Sequence, residues 1–261
     1  MAPLFFGILF RFVLIQSNES KTNVNLLLRS TISKHTEKST GWDSSLSIRI
    51  INGSSLKRLP AVIKDLSVVL NESKFEDLLV SKNGFTVYLY DVTYNSFENS
   101  ASVQYQVNDT MYHLELNRFN KLANDMALAA TLIHEIMHCV LLDIYKRAIR
   151  QETKALATIQ GFGLNKNDSS NFFNNDFFVL MNRGNDGQHE LISRLFLPLM
   201  KILLDRFTEL HKTASIEKRD VGFILWTGLQ ETGAYKKLSD EEKRTIELAI
   251  ITAKGLGSDH D

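Results

Sequence analysis

Near the middle of the chain, two histidines lie four residues apart in an apolar stretch, with a glutamate directly after the first. Within Leu128–Tyr145, LAATLIHEIMHCVLLDIY, the residues His134, Glu135 and His138 form the pattern H-E-x-x-H. Positions i and i+4 of an α-helix lie on one face, about 6 Å apart, so both imidazoles can reach a single ion. Zinc binds imidazole nitrogen at about 2.0–2.1 Å and favours four ligands in a tetrahedron. The spacing therefore predicts a zinc site, with one Zn2+ per chain.

Glu135 adds a proton acceptor to this pair. It follows the first histidine and so points about 100° around the helix, beside the ion. Zinc lowers the pKa of a bound water towards 7, and a nearby carboxylate can take the proton of that water. These residue types at this spacing are those of a zinc-dependent peptidase, with Glu135 as general base. Burying three ionisable side chains on an apolar helix is costly unless they are paired or coordinated, which favours a metal site over a metal-free core cluster.

A third protein ligand must come from another part of the chain. The candidates are His189 and Glu190 in DGQHELIS, because they begin a second apolar helix after a loop long enough to fold back on the first. Imidazole and carboxylate are both zinc ligands. Whichever of the two does not bind the metal is expected to orient a ligand by hydrogen bonding to it. The residues alone leave the choice between them open.

The segment TLIHEIMHCVLL resembles the active-site helix of the zincin metallopeptidases. More narrowly, it is similar to the SprT-like branch and to related uncharacterised bacterial families, and the downstream WTGLQET also resembles the latter group. The resemblance spans roughly Ser55 to Lys254, and HEIMH is its specific motif. It implies hydrolysis of peptide bonds, a small sheet before the helix, and a later histidine on a separate helix, which favours His189. A glutamate ligand from the second helix, as in thermolysin-like zincins, would instead be Glu190.

The chain departs from several zincin subclasses. Leu141 and Ile144 stand where a metzincin would have a glycine and a third histidine, which excludes that subclass. Cys139 is the single cysteine, so neither a disulfide within the chain nor the zinc ribbon of many SprT-like proteases can form. Cys139 is expected to be a small buried apolar residue. His211 is expected at the surface.

Composition limits the classes of partner. The 261 residues include 30 basic and 30 acidic side chains, so the formal net charge is zero and no nucleic-acid partner is expected. The partner predicted is a protein or peptide substrate. The apolar start, APLFFGILFRFVLIQS, is interrupted by Arg11 and is too short and broken for a stable membrane span. Residues 1–45 are interpreted as a lead-in, either a tail or a degenerate signal. The cytoplasm is favoured, secretion is the alternative if residues 1–17 act as a signal, and the oligomeric state is open.

The elements that must position these residues follow from periodicity. SLSIRII predicts a strand that ends at Asn52-Gly53, and Ser55–Leu79 has helical apolar spacing. FTVYLYDVTY, ASVQYQV and MYHLELN predict a small sheet whose last strands are antiparallel.

A long helix is predicted from Met126 to about Leu156, with Asn124 or Asp125 as cap. GNDGQ predicts a turn, and Pro198 a bend in the second apolar helix. VGFILWTGLQETGAY predicts a shorter helix ending near Gly228, and Ser239 with Glu242 a capping box for the last helix.

The sequence thus predicts an α+β, zincin-like domain over residues 46–261, with a small sheet packed on the HExxH helix and a helical C-terminal half. Its predicted activity is zinc-dependent peptide hydrolysis, with His134, His138 and His189 as ligands. The alternative is a degenerate zincin that serves as a non-catalytic binding module. The intact Glu135 argues against this alternative, because a non-catalytic descendant has no need of its carboxylate.

Overall fold

The computed structural model of the chain describes most of the residues after 47. The described ranges are 48–72, 84–92, 101–104, 111–117, 123–164, 176–211 and 221–255. They all fall in one structural unit, Leu46–Asp261. The predicted lead-in of residues 1–45, with its candidate signal, lies outside the described residues.

Four strands form one mixed sheet. They are β1 (Ile48–Asn52), β2 (Phe85–Val92), β3 (Ala101–Gln104) and β4 (Met111–Asn117). The sheet order is β1-β2-β4-β3, with β2 parallel to both β1 and β4, and β3 antiparallel to β4. After β2 the chain forms the outer strand β3 and returns between β2 and β3 as β4. The predicted strands, and the antiparallel pairing of the last two, are confirmed.

The helices make up most of the rest of the described chain. They are α1 (Leu59–Glu72), α2 (Asp125–Ile149), α3 (Thr153–Gly161), α4 (Asp176–Met181), α5 (Asn185–Leu191), α6 (Leu197–His211), α7 (Val221–Ile224), α8 (Gly233–Lys236) and α9 (Asp240–Gly255), with a π-helical segment, Ile192–Phe196, between α5 and α6. The fold is therefore α+β, with a small mixed sheet followed by a helical C-terminal half.

The sheet buries one row of side chains against the helices. Strand register places Val87 opposite both Ile50 and Tyr112, and places Leu89 opposite Leu114. All five side chains are buried. Helix α1 packs on β1 and contacts α2 and α6. The predicted apolar face of α1 is confirmed, although the helix begins four residues later than Ser55. The buried residues on that face are Leu59, Val62, Ile63, Leu66, Val69 and Leu70.

Helix α2 is the central element of the core. Most of its residues are buried, and they lie on every face of the helix, as expected for a helix that is apolar around its whole circumference. Asn124 is its N-cap, and the side-chain oxygen of Asn124 accepts a hydrogen bond from the Ala127 N–H at 2.8 Å. By length and composition α2 could span a membrane, and 89% of that apolar stretch is buried inside the structure.

The long helix ends earlier than predicted. Helix α2 stops at Ile149 rather than near Leu156, and residues 150–152 separate it from α3. Gln151 has a φ of 63°, a left-handed conformation that a helix cannot continue through. The apolar periodicity runs on across this break, so it could not reveal the change of direction.

The second apolar helix is also interrupted. GNDGQ forms a turn only at Gly184, which is the N-cap, and the four residues that follow form the first part of α5. The π-helical segment Ile192–Phe196 then precedes α6, whose second residue is Pro198. Proline has no N–H to donate to the carbonyl four residues earlier, which accounts for an irregularity at this place.

The last part of the chain matches the prediction at its end but not at its start. Helix α7 stops at Ile224, and the residues up to Gly228 form turns. The capping box of α9 is confirmed, because the Ser239 N–H donates to the Glu242 carboxylate at 2.7 Å and the Glu242 N–H donates to the Ser239 hydroxyl at 3.2 Å.

Candidate metal site

Three histidines from two helices converge in the core. His134 and His138 lie one turn apart on α2, and His189 lies on α5. The imidazole centroids are 4.9 Å (134–138), 5.2 Å (134–189) and 5.0 Å (138–189) apart, close to an equilateral triangle. One ligand nitrogen from each ring lies within 4.8 Å of the others. The three side chains are close enough to bind a single metal ion.

The spacing of the nitrogens fits a tetrahedral ion. Two ligands at about 2.0–2.1 Å from a tetrahedral zinc are roughly 3.3 Å from each other. The Nε2 atoms of His134 and His138 are 3.1 Å apart, which is close to that separation. Three imidazoles leave the fourth position of such an ion for water or substrate.

Gln188 determines which nitrogen of His138 faces the cluster. The side-chain oxygen of Gln188 lies 2.7 Å from Nδ1 of His138, so this nitrogen carries the proton and donates it. Nε2 of His138 then presents a lone pair to the other rings. A ligand histidine usually has such an acceptor behind it, which fixes the ring and makes it more basic.

His134 lacks the corresponding acceptor. Its Nδ1 is buried and has no hydrogen-bond partner among the described residues. If Nδ1 carries the proton, two lone pairs face each other across the 3.1 Å between the Nε2 atoms. If Nε2 carries it, Nδ1 is left as a buried acceptor without a donor. An ion between the two Nε2 atoms would remove the first conflict, so the donor set fits a metal.

All three rings are held in the neutral form that binds metals. Burial lowers the pKa of His134 well below its usual value, and the neighbouring His138 and His189 lower it further. Burial and the proximity of His189 lower the pKa of His138 to about 4, although the hydrogen bond to Gln188 raises it slightly. Burial also lowers the pKa of His189, against the opposing effect of Asp186. Neutral imidazole is the ligand form.

Glu135, the residue that follows His134 on α2, is buried, with 7% of its surface exposed. Burial raises the pKa of its carboxyl group to about 8, so the group is mostly protonated at neutral pH in the metal-free protein. No hydrogen bond or ion pair joins its side chain to another residue in the described ranges. A carboxyl group with a strongly perturbed pKa next to candidate ligands is typical of a functional site.

The carboxylate of Glu190, the alternative ligand, is bonded elsewhere. One oxygen accepts a hydrogen bond from the Gly233 N–H at 2.8 Å, and the other accepts one from Arg194 at 2.8 Å. The structure therefore brings His189, and not Glu190, together with the two histidines of α2. Gln188, which the sequence analysis did not identify, orients His138 by accepting a hydrogen bond from it. That role was expected for whichever of His189 and Glu190 does not bind the metal.

A close helix contact places α5 at the site. An ideal Cβ on Gly187 would lie 1.8 Å from the carbonyl oxygen of Leu180, so α5 approaches the end of α4 more closely than a side chain permits. Gln188 and His189 follow directly in the chain. A glycine two residues before a candidate ligand was the signal in the sequence that could have indicated this contact.

Gly228 is a second neighbour that the sequence analysis did not place at the site. It lies in the turn after α7, is exposed, and has a φ of 80°. An ideal Cβ on Gly228 would lie 3.4 Å from Cε1 and 3.7 Å from Nε2 of His134. The backbone of the WTGLQET segment therefore passes beside the ring edge that carries the ligand nitrogen.

No protein-family model, curated protein or solved structure matches this chain. The resemblance to zincins is therefore carried by the residues of the sequence alone.

Proposed function

We propose that this chain is a zinc-dependent metallopeptidase of the zincin type, which hydrolyses peptide bonds in proteins or peptides. The observation that carries the proposal is the convergence of His134, His138 and His189, with a buried glutamate, Glu135, directly after His134 in the chain. Three neutral imidazoles and an open fourth position are a donor set that catalytic zinc uses.

Each residue has a distinct task in this proposal. His134, His138 and His189 hold the ion, and Gln188 fixes the orientation and tautomer of His138. The bound ion would polarise the carbonyl group of the substrate and make water a stronger nucleophile at neutral pH. Glu135 takes the proton from the attacking water and passes it to the leaving amine.

The protein environment favours this task for Glu135. A buried carboxyl group whose pKa burial raises to about 8 binds a proton readily. A nearby divalent cation lowers that pKa again, because it stabilises the carboxylate. The opposing effects leave Glu135 able to accept and release a proton near neutral pH.

The first test is the metal content of the purified protein, measured by elemental mass spectrometry. We expect about one zinc per chain, and loss of that zinc in His189→Ala. Glu190→Gln is the matched control, because it removes the charge of the alternative ligand but keeps an oxygen that can accept from the Gly233 N–H, and it should retain zinc. Zinc retained in His189→Ala but lost in Glu190→Gln would show that the ligand assignment is wrong.

The second test separates binding from catalysis. Glu135→Gln should keep the metal and lose hydrolysis of an unfolded protein substrate by at least about a hundredfold, since general acid–base catalysis contributes 10²–10⁴. Glu152→Gln, which alters a carboxylate paired with Arg147 outside the cluster, should leave activity unchanged. Activity that survives in Glu135→Gln would contradict the mechanism. Metal without cleavage of any substrate in the wild type would favour a binding module.

A further inference from the structure

Gly228 combines three features that bear on access to the histidine cluster. It is exposed to solvent, whereas His134, Glu135 and His138 are each less than a tenth exposed. It lies against the Cε1–Nε2 edge of His134. Its N–H is not hydrogen-bonded to any residue in the described part of the chain. The residue that borders the ligand nitrogen of His134 is thus itself in contact with solvent.

The backbone around Gly228 is held in place. The Leu229 N–H donates to the Trp226 carbonyl at 2.9 Å, and the Thr232 N–H donates to the Leu229 carbonyl at 3.1 Å. Glu190 then fixes the end of the segment through its hydrogen bond from the Gly233 N–H. Because Glu190 directly follows His189, the same helix positions a candidate ligand and the segment that passes over the site.

We propose that Gly228 controls access to the metal: the absence of a side chain there keeps open the route by which an oxygen-donor ligand, such as the carbonyl group of a peptide, reaches the metal beside His134. This inference depends on the proposed function, because it requires a metal at the three histidines. A Cβ at 228 would narrow the route, and the anchored Trp226–Gly233 segment could not move aside to restore it. Gly228 acts only through the space that its missing side chain leaves, and it takes no part in proton transfer.

The test uses the full chain loaded with cobalt(II), whose visible spectrum reports the ligands of the ion. Acetohydroxamate is the probe, since it binds metals through two oxygen atoms and its binding changes that spectrum. We expect Gly228→Ala to take up as much cobalt as the wild type and to show the same spectrum before the probe is added. Its dissociation constant for acetohydroxamate should rise by about tenfold or more, because the added methyl group would occupy space beside His134 and one methyl group can change binding by that factor.

Gly163→Ala is the matched control for backbone strain. Gly163 has a φ of 65°, close to that of Gly228, but an added Cβ would meet nothing within 4 Å. This variant should bind both cobalt and acetohydroxamate as the wild type does. Gly228→Asn is a second variant, because asparagine adopts positive φ more readily than alanine. It should weaken probe binding at least as much, and it preserves the test if Gly228→Ala does not fold.

The outcomes distinguish failure of the inference from failure of the proposed function. Probe binding in both Gly228 variants equal to that in the wild type would overturn the inference and leave the metal site intact. Loss of cobalt from the Gly228 variants, with cobalt retained in Gly163→Ala, would also overturn it, because Gly228 would then be needed to build the site. A wild-type protein that takes up no cobalt would overturn the proposed function itself.

Discussion

Three consecutive residues of α5 make three different contacts around the candidate metal site. Gln188 accepts a hydrogen bond from His138, His189 completes the imidazole triangle, and Glu190 accepts one from the Gly233 N–H. Successive side chains of a helix point about 100° apart, so three consecutive residues can contact partners on three sides of the helix. A small displacement of this turn would therefore disturb the ligand, its orienting partner and the covering segment together.

The clearest residue-scale prediction concerns Gln188. Gln188→Met keeps the approximate size of the side chain but removes the oxygen that accepts the Nδ1 proton of His138. We expect zinc affinity to fall by about tenfold to a hundredfold, the usual effect of losing a partner behind a ligand. Competition with a chromophoric chelator measures this affinity. Gln188→Glu, which retains an acceptor oxygen, should keep the affinity near that of the wild type or above it.

Gln160→Met is the control, because Gln160 is an exposed residue of α3. It should not change zinc affinity. An equal loss in Gln160→Met and Gln188→Met, or no loss in either, would show that the contact between Gln188 and His138 does not stabilise the bound metal.

At the scale of elements, the site depends on where α5 lies relative to α2. The approach of Gly187 to the carbonyl oxygen of Leu180 fixes α5 against α4. The π-helical segment Ile192–Phe196 then changes the helical register before α6, which packs on α2. The position of His189 thus depends on a glycine contact on one side of α5 and on an irregular turn on the other.

Gly187→Ala should be strongly destabilising and should displace the ligand-bearing turn. The added Cβ would meet a backbone carbonyl at 1.8 Å, which neither helix can avoid without moving. We expect a loss of unfolding free energy of about 2 kcal/mol or more, from overpacking, together with weaker metal binding. Chemical denaturation and chelator competition would measure the two effects.

Gly161→Ala is the matched control within a helix. Gly161 is the last residue of α3, and an added Cβ there would meet nothing within 4 Å. Alanine should be neutral or slightly stabilising at this position, by up to about 1 kcal/mol, because it restricts the unfolded chain. If Gly187→Ala were as stable as Gly161→Ala, the close contact of α4 and α5 would not be what positions His189.

At the scale of the whole molecule, a second polar cluster joins three helices. His211, at the end of α6, was expected at the surface, but its side chain is only 10% exposed. Its Nδ1 lies 2.6 Å from Asp65 on α1, and its Nε2 lies 2.9 Å from Asp125 at the start of α2. Arg58 approaches Asp125 at 3.8 Å, and the Phe207 ring stacks on the imidazole. This cluster links the helices that pack around the core.

The cluster gives a prediction for the pH dependence of stability. Burial lowers the pKa of His211, but hydrogen bonds to Asp125 and Asp65 outweigh this effect and the pKa is raised overall. The folded protein therefore binds the proton more tightly than the unfolded chain, whose histidine pKa is about 6.5. The stabilisation is complete below that value and is lost as the pH rises through the higher pKa of the folded state.

Urea denaturation of the wild type and of His211→Gln, across about pH 5.5–8.5 around the unfolded histidine pKa, measures this contribution. The difference in unfolding free energy should be largest at the acidic end and should shrink as the pH rises. Comparing the two proteins cancels the contributions of the other titrating groups. A difference that does not change with pH would mean that the pKa of His211 is the same in the folded and unfolded states, and would contradict the prediction.

Much of this architecture was predictable from local sequence. Alternating apolar residues identified β1 to β4, the apolar face of α1 was correct at every position, and Ser239 with Glu242 gave the start of α9. HEIMH also placed His134 and His138 on one face of a helix, because helical periodicity is a local property of the chain. The ends of α2 and α7 were less predictable, since a change of direction at residues 150–152 or at Ile224 leaves the apolar pattern unbroken.

The sequence by itself determined the fold class, the pair of histidines on α2 and the adjacent Glu135, because each depends on residues a few positions apart. Only the tertiary structure decided that His189 joins them while Glu190 bonds to Gly233 and Arg194. It also decided that Gln188 accepts a hydrogen bond from His138, that Gly228 borders His134 and that His211 bridges two aspartates. These contacts join residues far apart in the chain, and they depend on where packing and close backbone approach place each helix, which no short-range pattern records.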